Sequence, residues 1–270
     1  MTHDTDLLAA LTGTAQPSRR VVLCTVVDSS GSVPQRPGAR LALGSDGRLV
    51  GTIGGGAVEQ LVLAAARELL ARGGTKLLTT HLTRDLGMCC GGRLTVFLQT
   101  LDPPENLLLF GAGHVAKPLA ALARTLAFRV LVVDERPEWA NAERFPGVEL
   151  RVEPPLEVLP ELPFDERASI CVVTHDHRLD QEVVEACLRK PYRYLGVIGS
   201  RRKGEMFRQR LQAKGFAEAA VAALHCPMGV AIGAQTPEEI AVSIAGELVA
   251  ARRSAAAPAD AEDEAAEAAR

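Results

Sequence analysis

Aromatic residues are scarce: one Trp, two Tyr and seven Phe make up 4% of the 270 residues. With so few rings, no platform for stacking single-stranded bases is expected. An excess of either charge is also missing. The formal net charge is −3; residues 254–270 alone contribute −4, through Asp260, Glu262, Asp263, Glu264 and Glu267 against Arg270, and the rest sums to +1. A nearly neutral body leaves no phosphate footprint, so a nucleic-acid partner is not expected. Gly, Arg or Glu interrupts every apolar run before it reaches the roughly 18 residues of a membrane span. The opening Met1-Thr2-His3-Asp4-Thr5-Asp6 has neither a basic nor an apolar signal character. No membrane partner and a cytoplasmic location are therefore expected. Finally, no Cys-x-x-Cys pair occurs among the six cysteines, and a chain of this length needs no disulfides to hold a core.

What remains is an ordinary globular composition, 47% apolar and 23% charged, enough for one large or two modest domains. Asp102-Pro103-Pro104-Glu105 is a polar, proline-rich break. Before it, short strands at 20–28, 39–43, 49–52, 75–81 and 93–99 surround one strong helix at 57–72, with Val58, Val62, Ala65 and Leu69 on one face. After it, strands at 107–110, 129–134, 148–152, 169–174 and 194–199 alternate with helical segments, which indicates a parallel sheet. The crossover at 153–168 holds Pro154, Pro155, Pro160 and Pro163, so no regular helix is expected there. Thr236-Pro237-Glu238-Glu239 is a capping box opening a last helix with Ile240, Ile244 and Leu248 in register. The expected fold is α/β: a small α+β domain (1–102), a Rossmann-like parallel-sheet domain (106–253) and a disordered acidic tail (254–270).

Several loops carry residue types suited to chemistry. The first strand of the second domain runs into Gly111-Ala112-Gly113-His114-Val115-Ala116, and Asp134 ends the next strand. That is where a dinucleotide fold places its phosphate-binding glycines and its ribose-binding acid. The alternative is a glycine turn kept for close helix–strand packing. His175 and His177 follow the fourth strand, and Ser200, Arg201, Arg202 and Lys203 follow the fifth. Both loops fall at the same sheet edge as the glycine loop. Cations at a helix start oppose its dipole, which suits a bound anion; a solvated basic turn, or helix capping by Asp176 beside incidental imidazoles, is the other reading.

In the first domain, Gly54, Gly55 and Gly56 open the strong helix and form a potential anion nest, with Arg36 in a neighbouring loop as a possible anion contact. Cys89 and Cys90 lie in a turn with Gly91 and Gly92, where a bulky ligand can approach the sulfur. Cys226, beside His225, is a third thiol in a turn, with a buried structural role as its alternative. Cys24, Cys171 and Cys187 fall within apolar segments and read as small hydrophobes.

The segments GTIGGGAVE (51–59), LGMCCGG (86–92), GAGHVA (111–116), THDHRLD (174–180), VIGSRRK (197–203) and CPMG…TPEEIAVSI (226–244) together resemble the xanthine dehydrogenase accessory protein family, XdhC/CoxI. Gln35 departs from the family pattern, which commonly has Arg there. The resemblance implies a chaperone that binds molybdenum cofactor in its molybdopterin form. Such a protein protects it while a cysteine desulfurase installs its sulfido ligand, then delivers it to an apo molybdenum hydroxylase such as xanthine dehydrogenase. It implies no net turnover of a metabolite, a homodimer, and a functional surface that includes the Gly54–Gly56 and Gly91–Gly92 loops. Soft-ligand chemistry makes Cys90, with Cys89 and Cys226 as further candidates, the expected contact to molybdenum or sulfur. The competing expectation is an NAD(P)-dependent oxidoreductase built on the second domain, with His175 or His177 as acid/base.

Overall fold

Val22, Cys24 and Val26 alternate along one strand and are at most 1% exposed, so a single face of that strand is buried. The computed structural model, which describes residues 20–87 and 91–256, divides into two compact units after Pro104. In the first unit β1 (Val21–Ser30), β2 (Arg40–Gly44), β3 (Leu49–Gly51), β4 (Thr75–His81) and β5 (Arg93–Leu101) form an antiparallel sheet. Its strand order is β3-β2-β1-β5-β4. Helix α1 (Gly56–Arg72) lays Val58, Val62, Ala66 and Leu69 on the face that carries Val22, Cys24, Leu94, Val96 and Leu98. A one-turn helix, α2 (Leu82–Leu86), closes the same core with Leu82.

The second unit is a six-stranded parallel sheet of β6 (Glu105–Phe110), β7 (Phe128–Val133), β8 (Glu149–Arg151), β9 (Ser169–Val172), β10 (Tyr194–Val197) and β11 (Leu224–His225). The order is β8-β7-β6-β9-β10-β11, the dinucleotide-fold arrangement in which the connections reverse direction between β6 and β9. Leu107, Leu108, Leu109 and Phe110 are all fully buried because both faces are covered. Leu107 and Leu109 pack against α3 (Ala116–Thr125) and α8 (Pro237–Ala256). Leu108 and Phe110 pack on the side of α5 (His177–Cys187) and α6 (Arg201–Ala213).

Short pieces fill the remaining gaps: α4 (Pro155–Val158) with a 3₁₀ turn at Leu159–Glu161 in the proline-rich crossover, and α7 (Glu218–Ala222) before β11. The capping box forms as expected: the Glu239 amide donates to Thr236 Oγ1 at 3.2 Å, and Glu239 Oε2 accepts from the Thr236 amide at 3.1 Å. α8 continues to Ala256, so residues 254–256, expected to be disordered, are helical; 257–270 lie outside the described residues. Cys24, Cys171 and Cys187 are buried, and desolvation pushes each thiol up, Cys24 and Cys187 to about 12. Among the described residues no helix is long and apolar enough to cross a membrane.

Candidate functional site

The carboxyl ends of β6 and β9 open a crevice where the sheet connections reverse. Gly111, Asp134, Glu135, Thr174 and His175 line it. Gly111 has φ +107°, and a Cβ there would sit 2.5 Å from the Val173 carbonyl oxygen, so only glycine fits. A Cβ on Gly113 would meet nothing within 4 Å, which leaves the outer face of the loop open. Of the two glycines, the first serves strand packing and the second leaves room for a ligand.

Asp134 does not offer a free carboxylate for a ribose. It is buried, its side chain 5% exposed; Oδ2 accepts the Ala112 amide at 2.8 Å, and Arg136 grips both oxygens at 2.9 and 2.7 Å. Burial pushes this carboxyl up, but the bonds from Arg136 and Ala112 outweigh it and hold the group below the ordinary range. Its acceptor sites are taken, and it ties the glycine loop to β7. His114 turns away from the crevice onto the flank of α3, edge-on to Trp139 with ring centroids 5.2 Å apart.

At the end of β9, Asp176 caps α5 by accepting the Arg178 amide at 2.8 Å. His175 faces the crevice, whereas His177 is 83% exposed with Nδ1 3.7 Å from Asp180, too far for a hydrogen bond. After β10, Ser200 caps α6 through the Lys203 amide. Arg201 and Arg202 are exposed, but Lys203 is not the free cation expected from the sequence. Its ammonium is buried 2.6 Å from Asp180 Oδ2 and 2.8 Å from the Ile198 carbonyl, while Asp180 Oδ1 accepts from Thr174. Asp180 and Thr174 thus belong to the site's frame, a role invisible in sequence because the Asp180–Lys203 pairing spans 23 positions. Cys226 likewise departs from an open thiol: it is 4% exposed, and burial pushes it up against the opposing pull of Lys203 and Arg208.

In the first unit three glycine-bearing loops meet at one end of the sheet. A Cβ on Gly54 would lie 2.5 Å from Pro34, one on Gly92 2.5 Å from the Ser32 carbonyl, and one on Gly31 3.0 Å from Gly92 Cα. Gly54, Gly55 and Gly56 all have positive φ, as a nest requires, but part of that nest is already filled. Glu59 Oε2 accepts from the Thr52 hydroxyl at 2.6 Å, the Gly55 amide at 3.1 Å and the Ile53 amide at 3.2 Å. The chain's own carboxylate takes the place of the expected anion. Arg36 is exposed beside this cluster. Gly91 and Gly92 directly follow Cys89 and Cys90, which lie outside the described residues. Among the described residues no group of three or more His, Cys, Asp or Glu is arranged to hold a metal ion.

Residues 107–248 match the family model of the XdhC Rossmann domain, and residues 15–81 that of the XdhC and CoxI family. The chain is 34% identical over 237 residues to the uncharacterized protein YqeB of Escherichia coli K12, covering 86% of this chain and 44% of that one. It is 32% identical over 159 residues to a Bacillus subtilis protein named as a probable subunit of xanthine dehydrogenase, covering 58% of this chain and 46% of that one. The chain therefore spans somewhat less than half the length of these two relatives. A third, the E. coli molybdenum cofactor insertion chaperone PaoD, is 21% identical over 285 residues, with 86% and 83% covered. A solved structure named as a xanthine dehydrogenase from Bacillus halodurans shares the fold, with TM-score 0.53, 23% identity and 93% and 96% of the two chains covered.

Proposed function

Because the chain belongs to the XdhC family, we propose that it is an accessory protein carrying molybdenum cofactor as cargo to an apo molybdenum hydroxylase such as xanthine dehydrogenase. It shelters the cargo while a cysteine desulfurase installs the sulfido ligand, works as a homodimer in the cytoplasm, and turns over no metabolite. The relative named as a molybdenum cofactor insertion chaperone supports the cargo. The observation that carries the reading is the meeting of the Gly31, Gly54 and Gly92 loops, next in the chain to Cys89 and Cys90. Those three glycines let the loops pack together, whereas Gly55 and Gly91 leave their Cβ positions free of close contact, so a bulky pterin can approach the backbone there. A thiolate from Cys90 is a soft ligand suited to molybdenum or its sulfur. Arg36 in this unit, and Arg201 with Arg202 at the crevice of the second, remain exposed for a phosphate.

The test is the metal and pterin content of protein purified without oxygen from a molybdate-fed host. Molybdenum and pterin in equal amounts in the wild type, lowered in a folded Cys90→Ala variant and unchanged in Cys24→Ala, are expected. Bound NAD(P) without molybdenum would establish the oxidoreductase reading instead.

A further inference from the structure

On the flank of α3, away from the crevice floor, lies a cavity of about 470 Å³, within the usual range for a small-molecule site. Its walls come from α3, from residues 144–148 before β8, and from the first turn of α8. Ala121, Phe145 and Val148 give it an apolar lining. Lys117, Arg124 and Arg144 surround that lining against one carboxylate, Glu238.

These three cations are unlike most of their neighbours. Arg129, Arg136, Arg151, Arg193 and Arg252 each pair with a carboxylate. Among the described residues, Lys117, Arg124 and Arg144 have no carboxylate partner. Two of them are nevertheless held in place. Arg124 donates to the Pro146 carbonyl at 2.7 Å. Arg144 donates to the carbonyls of Trp139 and Ala112 at 3.0 and 3.2 Å, with its guanidinium 4.7 Å from the Trp139 ring centroid. Carbonyl contacts orient a guanidinium without neutralising it, so the cationic rim stays unspent. In the first turn of α8, Pro237 has no N–H, and the Glu239 and Ile240 amides already donate to Thr236 Oγ1 and the Thr236 carbonyl.

We propose that this cavity binds a small organic anion with a flat apolar body and one carboxylate or phosphate. The body fills the space beside Ala121, Phe145 and Val148, and the anionic group meets Lys117 and the fixed arginines. The proposal does not depend on the molybdenum cargo.

The test is calorimetric titration of the full chain with 2-naphthoate, and with the neutral 2-naphthalenemethanol. Saturable one-to-one binding of the carboxylate is expected, with the alcohol at least about tenfold weaker, as one charge-assisted hydrogen bond implies. Lys117→Met should weaken the carboxylate by about tenfold, and Ala121→Trp, at an exposed helix position, should fill the cavity and abolish binding. Both variants keep the core, and circular dichroism checks that they fold. No saturable binding of 2-naphthoate below millimolar concentration, equal affinity for the two probes, or an Ala121→Trp titration like the wild type would each overturn the proposal.

Discussion

Lys203 Nζ and Asp180 Oδ2 lie 2.6 Å apart with side chains 8% and 1% exposed, a buried ion pair that joins the first turns of α5 and α6, the helices that follow β9 and β10. A charge pair removed from water is held only if its other valences are met. Here the Thr174 hydroxyl and the Ile198 carbonyl meet them. Lys203→Met would leave the Asp180 charge buried and uncompensated, at a cost of roughly 3–5 kcal/mol in urea unfolding. Adding Asp180→Asn should recover part of that loss, since the amide still accepts from Thr174. A double variant whose loss equals the sum of the Lys203→Met and Asp180→Asn losses would show that the pair is not coupled.

The two crevice glycines should separate in their effects. Gly111→Ala forces a Cβ against the Val173 carbonyl at positive φ, so a loss of at least about 2 kcal/mol is expected. Gly113→Ala meets open space and should cost no more than about 1 kcal/mol. Thermal melts of both variants decide this; equal losses would mean that the strand contact does not set the requirement.

Much of this was legible in sequence because it is local. The run Leu107-Leu108-Leu109-Phe110 before a glycine turn marks a strand buried on both faces, and Thr236 with Glu239 marks the start of α8. The pairing of the antiparallel sheet is not local: β1 takes β5 as a neighbour across about 70 residues, and no periodicity encodes that choice. Elements such as α2, α7 and β11 are shorter than one hydrophobic repeat and leave no pattern to read. At the site, spacing located Asp134 but not its role, because Arg136 takes up its carboxylate. Spacing also placed Lys203 among the cations, but its partner lies on another helix.

Glu59 gives a direct probe of the triple-glycine loop. Its carboxylate holds the Thr52 hydroxyl and the Ile53 and Gly55 amides, so Glu59→Ala leaves three donors without their acceptor. Destabilisation of about 1–3 kcal/mol is expected. Because the emptied nest keeps its positive-φ glycines, added phosphate should raise the melting temperature of the variant more than that of the wild type. An identical response of the two proteins would count against the nest.

Glu247 should make the second unit sensitive to acid. Burial alone would push its carboxyl up, but bonds from His225 at 2.7 Å, from Tyr194 at 2.5 Å and from the Gly229 amide outweigh this and hold it low. A depressed folded value means that the stabilisation is fully present above the unfolded value of about 4.3 and is lost as pH falls through the folded one. Glu247→Gln should therefore be less stable near neutrality. Its melting temperature should also decline less than that of the wild type between about pH 5 and 3. Parallel profiles would show that this carboxylate does not contribute to acid unfolding.

Arg201 and Lys203, two positions apart on one helix, should behave oppositely. Lys203 is committed to Asp180, so its loss should appear in stability. Arg201 is exposed at the start of α6, on the same sheet edge as the crevice, and open to an anion, so its loss should appear in binding. One charge-assisted hydrogen bond is worth about 1.5–3 kcal/mol, and about 1.4 kcal/mol corresponds to a decade in affinity. Arg201→Ala should therefore weaken an anionic ligand of the crevice about ten- to a hundredfold while its melting temperature stays within about 1 °C of the wild type. Because the site is exposed, wild-type affinity should also fall as salt is raised. Titrating the variant with molybdenum cofactor and separately with NAD(P) identifies the occupant, since only the ligand held there should lose affinity. If neither titration moves, the Arg201-Arg202 turn is solvated surface, and the anionic ligand is held elsewhere.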